Sequence, residues 1–281
     1  MGGFKLQIFR LGKQKYKVDT NWIKSNGKSN FNDISAITSD NEGRLFVLQR
    51  ANPFIKIYTT DGVFLNEWSN FTIPDGHYFD IAPDKKVFVV DRDNHRIIIF
   101  NKDGKLIKII GDSKKPGDIG TPFNHPTDIA INDSGDFFVS DGYGNFFIHH
   151  FNSNGELIKS WGGFGKNKGE FLIPHSVLIN KKKEIMVADR DNNRIQFFDQ
   201  RGNSIKVINN IYRPMNLCQD QEGFIYVTDQ TPALNMFSQE GALLGRFKTF
   251  GTFGHGVTID ENGNIYIAEQ FHNCVTKFIR L

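Results

Sequence analysis

Residues 184–202 read EIMVADRDNNRIQFFDQRG. A short apolar run closes on the pair Asp189-Arg190, the polar turn DNN follows, and a second apolar run ends in the turn DQRG. Each run is too short for a helix, and each is bounded by turn-forming residues, so both read as strands. The unit recurs along the chain. Its counterparts for the first run are RLFVLQR, KVFVVDR, DFFVSDG, FIYVTDQ and NIYIAEQ. Those for the second are FIKIYTTDG, RIIIFNKDG, FFIHHFNSNG, ALNMFSQEG and CVTKFIRL. A third apolar stretch follows five of the units: VFLNEW, KLIKII, ELIKSW, NSIKVI and ALLGRF.

The penultimate residues of the first runs are Gln49, Asp91, Asp141, Asp189, Asp229 and Glu269, separated by 42, 50, 48, 40 and 40 residues. Four-stranded units of roughly 40–50 residues are the mark of a propeller blade. Six of them fill the chain, so we expect an all-β, six-bladed β-propeller forming one domain over residues 1–281. The last unit stops after its third strand. Residues 16–23 are expected to supply the missing outer strand and close the ring, which removes open sheet edges.

Equal offsets in equal blades mean equal places around the axis. Fourteen residues before each penultimate position stand Ser35, His77, Thr127, His175, Met215 and His255. The three histidines fall on alternate blades, a third of a turn apart. Taken singly, each reads more readily as a satisfied channel residue. Three at one offset read as ligands of a single central metal ion, with zinc the first choice. This ring holds no carboxylate, which argues against calcium at its level. His95, His125, His149, His150 and His272 do not share the offset.

One residue past each penultimate position stand Arg50, Arg92, Gly142, Arg190, Gln230 and Gln270, with Tyr143 next to Gly142. Guanidinium groups beside a metal suit a small carboxylate substrate. A phenol there can exchange a proton with that substrate. Arg92 and Arg190 also fit a structural ion pair within their DRDN turns, whereas Arg50 lies outside that pattern. Two residues after the histidine ring, Ile37 and Phe79 could turn their carbonyls into the channel and hold a second, hard cation.

Composition narrows the rest. Hydrophobic residues make up 39% and charged residues 23% of the chain, ordinary for a globular protein. The net charge is only +3, with no long basic block, so nucleic acid is not an expected partner. No apolar run approaches the roughly 20 residues of a membrane span. Residues 1–20 show no secretory pattern, and Met1-Gly2-Gly3 is followed by Leu6 where myristoylation needs Ser or Thr. Cys218 and Cys274 are too few for a disulfide framework. A cytoplasmic monomer, without membrane attachment, is the expectation.

The segments DRDNHRI and DRDNNRI resemble NHL repeats. From Ile34 to Phe278 the chain more closely resembles the peptidyl-α-hydroxyglycine α-amidating lyase (peptidylamidoglycolate lyase) family. The resemblance is carried by GHYFDIAPD, HPTDIAINDSGDFFVSDGYGN, FLIPHSVLINKKKEIMVADRDNNRIQFF and FGHGVTIDENGNIYIAEQFHNCVTKF. It implies zinc on His77, His175 and His255, a catalytic tyrosine at Tyr143, and pocket arginines at Arg50 and Arg190. It also implies a structural calcium on the carbonyls of Ile37 and Phe79 and on an aspartate directly after the third histidine; that position is Gly256 here. A family methionine two before that histidine is Phe253.

The reaction so implied splits a carbinolamide, R–CO–NH–CH(OH)–COO⁻, into an amide and glyoxylate. Zinc would bind the substrate hydroxyl and Tyr143 would take its proton, while the arginines hold the carboxylate. Ureidoglycolate, in which R is an amino group, stays beside peptidyl-α-hydroxyglycine as a substrate, with the small molecule preferred. Two other classes stay open. A non-catalytic NHL interaction module for protein or RNA needs a contiguous basic or aromatic face. A lactonase-like hydrolase needs a carboxylate and Asn calcium cage.

Overall fold

The computed structural model of the chain describes residues 8–23, 30–251 and 253–281. The Met1-Gly2-Gly3 and Leu6 reading lies outside them. Among the described residues, six antiparallel sheets account for 25 strands, and helix is confined to two three-residue 3₁₀ turns. The expected six-bladed β-propeller is the observed fold. The innermost strands are Ile34–Ser39, Gly76–Ile81, Asp128–Ile131, Pro174–Ile179, Pro214–Gln219 and Gly254–Ile259. Each packs against the next, and the last packs against the first, so they ring one axis.

Closure comes from the N-terminal segment, two residues earlier than expected. Gln14–Asp19 adds to the sixth blade, Tyr16 standing opposite Arg280 and Val18 opposite Phe278. A further strand, Ile8–Leu11, folds back on it as a hairpin. The strand ends at Asp19, whose carboxylate accepts the backbone N–H of Asn21 at 3.0 Å and turns the chain. Trp22 then leaves the sheet and is buried between blades six and one, its indole N–H donating to the Val275 carbonyl.

The core is six wedges, each shared by two neighbouring blades. In strands, alternate residues point to opposite faces. Both faces of a blade meet a neighbour, so strands such as Val87–Asp91 and Ile185–Asp189 are buried along their whole length.

The recurring aspartates belong to this framework. Asp189 accepts from Arg194, Asn192 and the backbone of Leu172, and Asp91 accepts from Arg96 and Asn94. The carboxylate thus fixes the turn after its strand and the start of the next, which holds the following residue, Arg92 or Arg190, at the axial end. No helix among the described residues is long and apolar enough to cross a membrane.

Candidate active site

The innermost strands begin at the arginine end of the channel and run away from it, since Gly76 pairs with Asp91 and Pro174 with Asp189. The ladder slips at five of the six ring residues, all but Thr127. Shifts fall between Ile34 and Ala36, Gly76 and Phe79, Pro174 and Ser176, Pro214 and Leu217, and Gly254 and Gly256. A bulge re-aims a side chain and frees backbone groups from the ladder. Both consequences are used. His77, His175 and His255 turn inward, with at most 3% of their surface exposed. Their ring nitrogens come within 4.8 Å of one another.

The freed carbonyls decide the tautomer. His77 Nδ1 donates to the carbonyl of Thr127 at 2.7 Å, His175 Nδ1 to Met215 at 2.8 Å and His255 Nδ1 to Ser35 at 2.7 Å. Each acceptor is the ring residue of the next blade. A carbonyl only accepts, so each Nδ1 carries the proton and each Nε2 keeps its lone pair. That is how ligating imidazoles are oriented. Burial lowers the pKa of all three, the nearby guanidinium groups add to it, and neighbouring imidazoles add for His77 and His175; His255 falls to about 3. The three are therefore neutral at physiological pH and fit a soft-to-borderline divalent metal.

Tyr143 lies over this centre. Its hydroxyl stands 2.9 Å from His175 Nε2 and 3.4 Å from His77 Nε2, and it accepts from Arg190 Nη1 at 3.1 Å. Its ring lies between the guanidinium groups of Arg92 and Arg190, 5.4 Å and 5.3 Å from the centroid. Gly142 makes this possible, because a side chain there would meet the Pro174 carbonyl at 2.3 Å. The third blade therefore offers its next residue to the channel.

A cavity of about 230 Å³ opens above the histidines, lined by Arg50, Arg92, Arg190, Tyr143, Gln230 and Gln270. The structure thus brings together the rim residues expected from the +1 offset, save Gly142. Exposure rises outward, from the buried histidines through Arg190 at 11% and Arg50 at 13% to Arg92 at 27%. At the mouth Phe271 is 66% exposed and packs on Phe253, centroids 4.9 Å apart.

One residue escaped the sequence reading. The buried Asp75 binds Arg50 Nε at 2.5 Å through one oxygen and Arg92 through the other. It ties two blades together and holds both guanidinium groups in the wall of the cavity. A signal existed: two residues before the ring, blades one and two both carry aspartate, Asp33 and Asp75, and Arg50 contacts both. Arg190 is held instead by Asp191 at 2.8 Å.

A propeller built on repeats with three convergent histidines defines the class. Residues 123–151 match the NHL repeat family, and residues 245–268 match a β-propeller repeat. The chain is an NHL-repeat β-propeller, and its relatives include proteins named for peptide amidation. It is 30% identical over 226 residues to peptidyl-glycine alpha-amidating monooxygenase B of Xenopus laevis, covering 72% of this chain and 26% of that protein. It is 32% identical over 163 residues to peptidyl-alpha-hydroxyglycine alpha-amidating lyase 1 of Drosophila melanogaster, covering 53% and 30%. It is also 28% identical over 205 residues to human NHL repeat-containing protein 3, covering 68% and 59%.

The chain therefore spans from about a quarter to three fifths of the length of these relatives. Among solved structures, a gluconolactonase of Xanthomonas campestris superposes with a TM-score of 0.74 at 13% identity, covering 97% of this chain and 91% of that one. A streptogramin B lyase gives 0.68 at 11%, covering 97% and 100%. Both likenesses concern the fold alone.

Proposed function

We propose that the chain is a zinc-dependent carbon–nitrogen lyase that cleaves an α-hydroxyglycine-type carbinolamide to glyoxylate and an amide or urea. The carrying observation is the convergence at Tyr143 Oη, which meets the free nitrogens of two histidines and the Arg190 guanidinium at one point. Proton acceptor, metal ligands and carboxylate clamp are thereby within one small substrate's reach. His77, His175 and His255 would hold the zinc, which supplies a Lewis acid for a substrate oxygen when bound.

The chain's own residues account for the remaining steps. Arg50 and Arg190 hold the carboxylate between them and orient the carbon that carries the hydroxyl. Tyr143, entering as the phenolate, takes the hydroxyl proton. The O–H electron pair becomes the C=O of glyoxylate, the C–N bond breaks with its pair going to nitrogen, and Tyr143 returns the proton there. Atoms and charge balance, and no water is consumed.

The exposed lip of Phe253 and Phe271 favours an acyl R group with apolar surface. With urea as the leaving group nothing reaches the two rings. Glyoxylate release from a peptidyl-α-hydroxyglycine and from ureidoglycolate, side by side with and without chelator, tests the reading. The peptidyl compound should have about tenfold the kcat/KM, the worth of one aromatic contact. Chelator should stop both reactions. No turnover of either compound by zinc-loaded protein would refute the assignment.

The clamp makes a separate prediction. Arg50→Ala should raise KM about 10- to 100-fold, the worth of a hydrogen bond to a charged group. Metal content should stay unchanged. Unaltered KM and kcat would remove Arg50 from substrate binding.

A further inference from the structure

Below the histidine ring the channel is blocked by one side chain. The residues directly after the ring positions are Ala36, Tyr78, Asp128, Ser176, Asn216 and Gly256. Tyr78 leaves the second blade and crosses to the sixth, where its hydroxyl donates to the carbonyl of His255. Its ring stacks on the His255 imidazole at 4.8 Å and 14°. It meets His77 at 5.0 Å and His175 at 5.8 Å, both edge-on. An aromatic ring in contact with all three imidazoles sits on the axis beneath them, and it is only 3% exposed.

The family resemblance implies a companion calcium at this level, on the carbonyls of Ile37 and Phe79 and an aspartate after the third histidine, where this chain has Gly256. The residues do not fit it. A Cβ on Gly256 would lie 2.9 Å from Ala36 Cα and 3.1 Å from the Ile37 nitrogen, so no carboxylate can stand there without moving the backbone. The Phe79 carbonyl already accepts from the Thr38 hydroxyl at 3.4 Å. The layer's one carboxylate, Asp128, spends its oxygens on the backbone N–H groups of Ile129 and Val177 at 2.8 Å and 3.1 Å. A hard cation needs six to eight oxygens and usually charged ones.

We propose that Tyr78 stands in place of a second cation: it plugs the channel, clamps the strand carrying the third histidine, and leaves a chain with one metal, reached only from the arginine mouth. The inference rests on the three-histidine centre being a metal site. Tyr78 is a positioning residue, acting through His255.

The test is elemental analysis of the full chain after dialysis against zinc and millimolar calcium together. One zinc and no stoichiometric calcium per chain is the expected result, with a Tm that neither calcium nor a calcium-selective chelator moves. One calcium beside one zinc, or a calcium-dependent rise in Tm, overturns the plug while leaving the zinc centre intact. Absence of zinc overturns the centre itself and the plug with it.

Tyr78→Phe keeps the ring and loses the hydroxyl. It should weaken zinc affinity about 10- to 100-fold, as loss of an outer partner of a ligand does. Unchanged zinc affinity would overturn the clamp. The wild-type calcium result decides the plug even if the variant folds poorly.

Discussion

Alanine at position 175 is expected to strip the metal from the chain and to lower glyoxylate release by about a thousandfold or more. A Lewis acid is worth several kcal/mol of transition-state stabilisation, and each 1.36 kcal/mol is tenfold in rate. Two imidazoles do not replace three, because a structural or catalytic zinc takes at least three protein ligands. His175 is the sharpest of the three to test, since its ring is fully buried and its Nε2 faces the Tyr143 hydroxyl at 2.9 Å. The variant also leaves the Met215 carbonyl without its donor, which costs about 1–3 kcal/mol. Circular dichroism must therefore accompany the metal measurement. The off-axis, exposed His272 is the control, and its alanine variant should keep both metal and rate. A His175→Ala protein that is folded, fully loaded and fully active would sink the whole reading of the site.

What could be read in advance followed from repetition. The penultimate Asp91 and Asp189 tie their turns in the same way, so a count of residues from them is also a measure of position around the axis. Hence one offset found the histidines and another found Arg50, Arg92 and Arg190. The ladder slips at the ring sharpen the point, since they turn a side chain that would otherwise alternate with its neighbours into one aimed at the axis.

Tyr78 and Phe271 were not legible. Each acts on a different blade from its own or at the open mouth, and such contacts depend on rotamer and on the approach of blades rather than on period. The closing strand shows the same limit at smaller scale. Trp22 extends the apolar pattern of residues 16–23, but it is buried between blades, so the strand stops at Asp19.

The fold by itself leaves the chemistry open, since propellers of this shape include a gluconolactonase and a streptogramin B lyase. The discriminating features are local. A three-imidazole floor with neutral rings suits a metal that polarises oxygen, and a wall of guanidinium groups suits a carboxylate held close to it. Tyr143 is the group that joins the two, and this makes its hydroxyl the most informative atom to remove.

Tyr143→Phe is expected to lower kcat by about 10²–10⁴-fold, the usual worth of a placed acid–base group, with metal content unchanged and KM within a few-fold. The ring is retained, so its stacking between Arg92 and Arg190 persists. Arg190 keeps its pair with Asp191 at 2.8 Å and still faces the cavity. What disappears is one oxygen that lies 2.9 Å from His175 Nε2 and 3.1 Å from Arg190 Nη1. A loss confined to kcat identifies a group that works in the transition state rather than in binding. A purely structural phenol would instead lower Tm and leave turnover per folded, zinc-loaded chain untouched. If steady-state kinetics of the loaded variant keep kcat within threefold of the parent, the proton passes through another group and the mechanism proposed for Tyr143 is wrong.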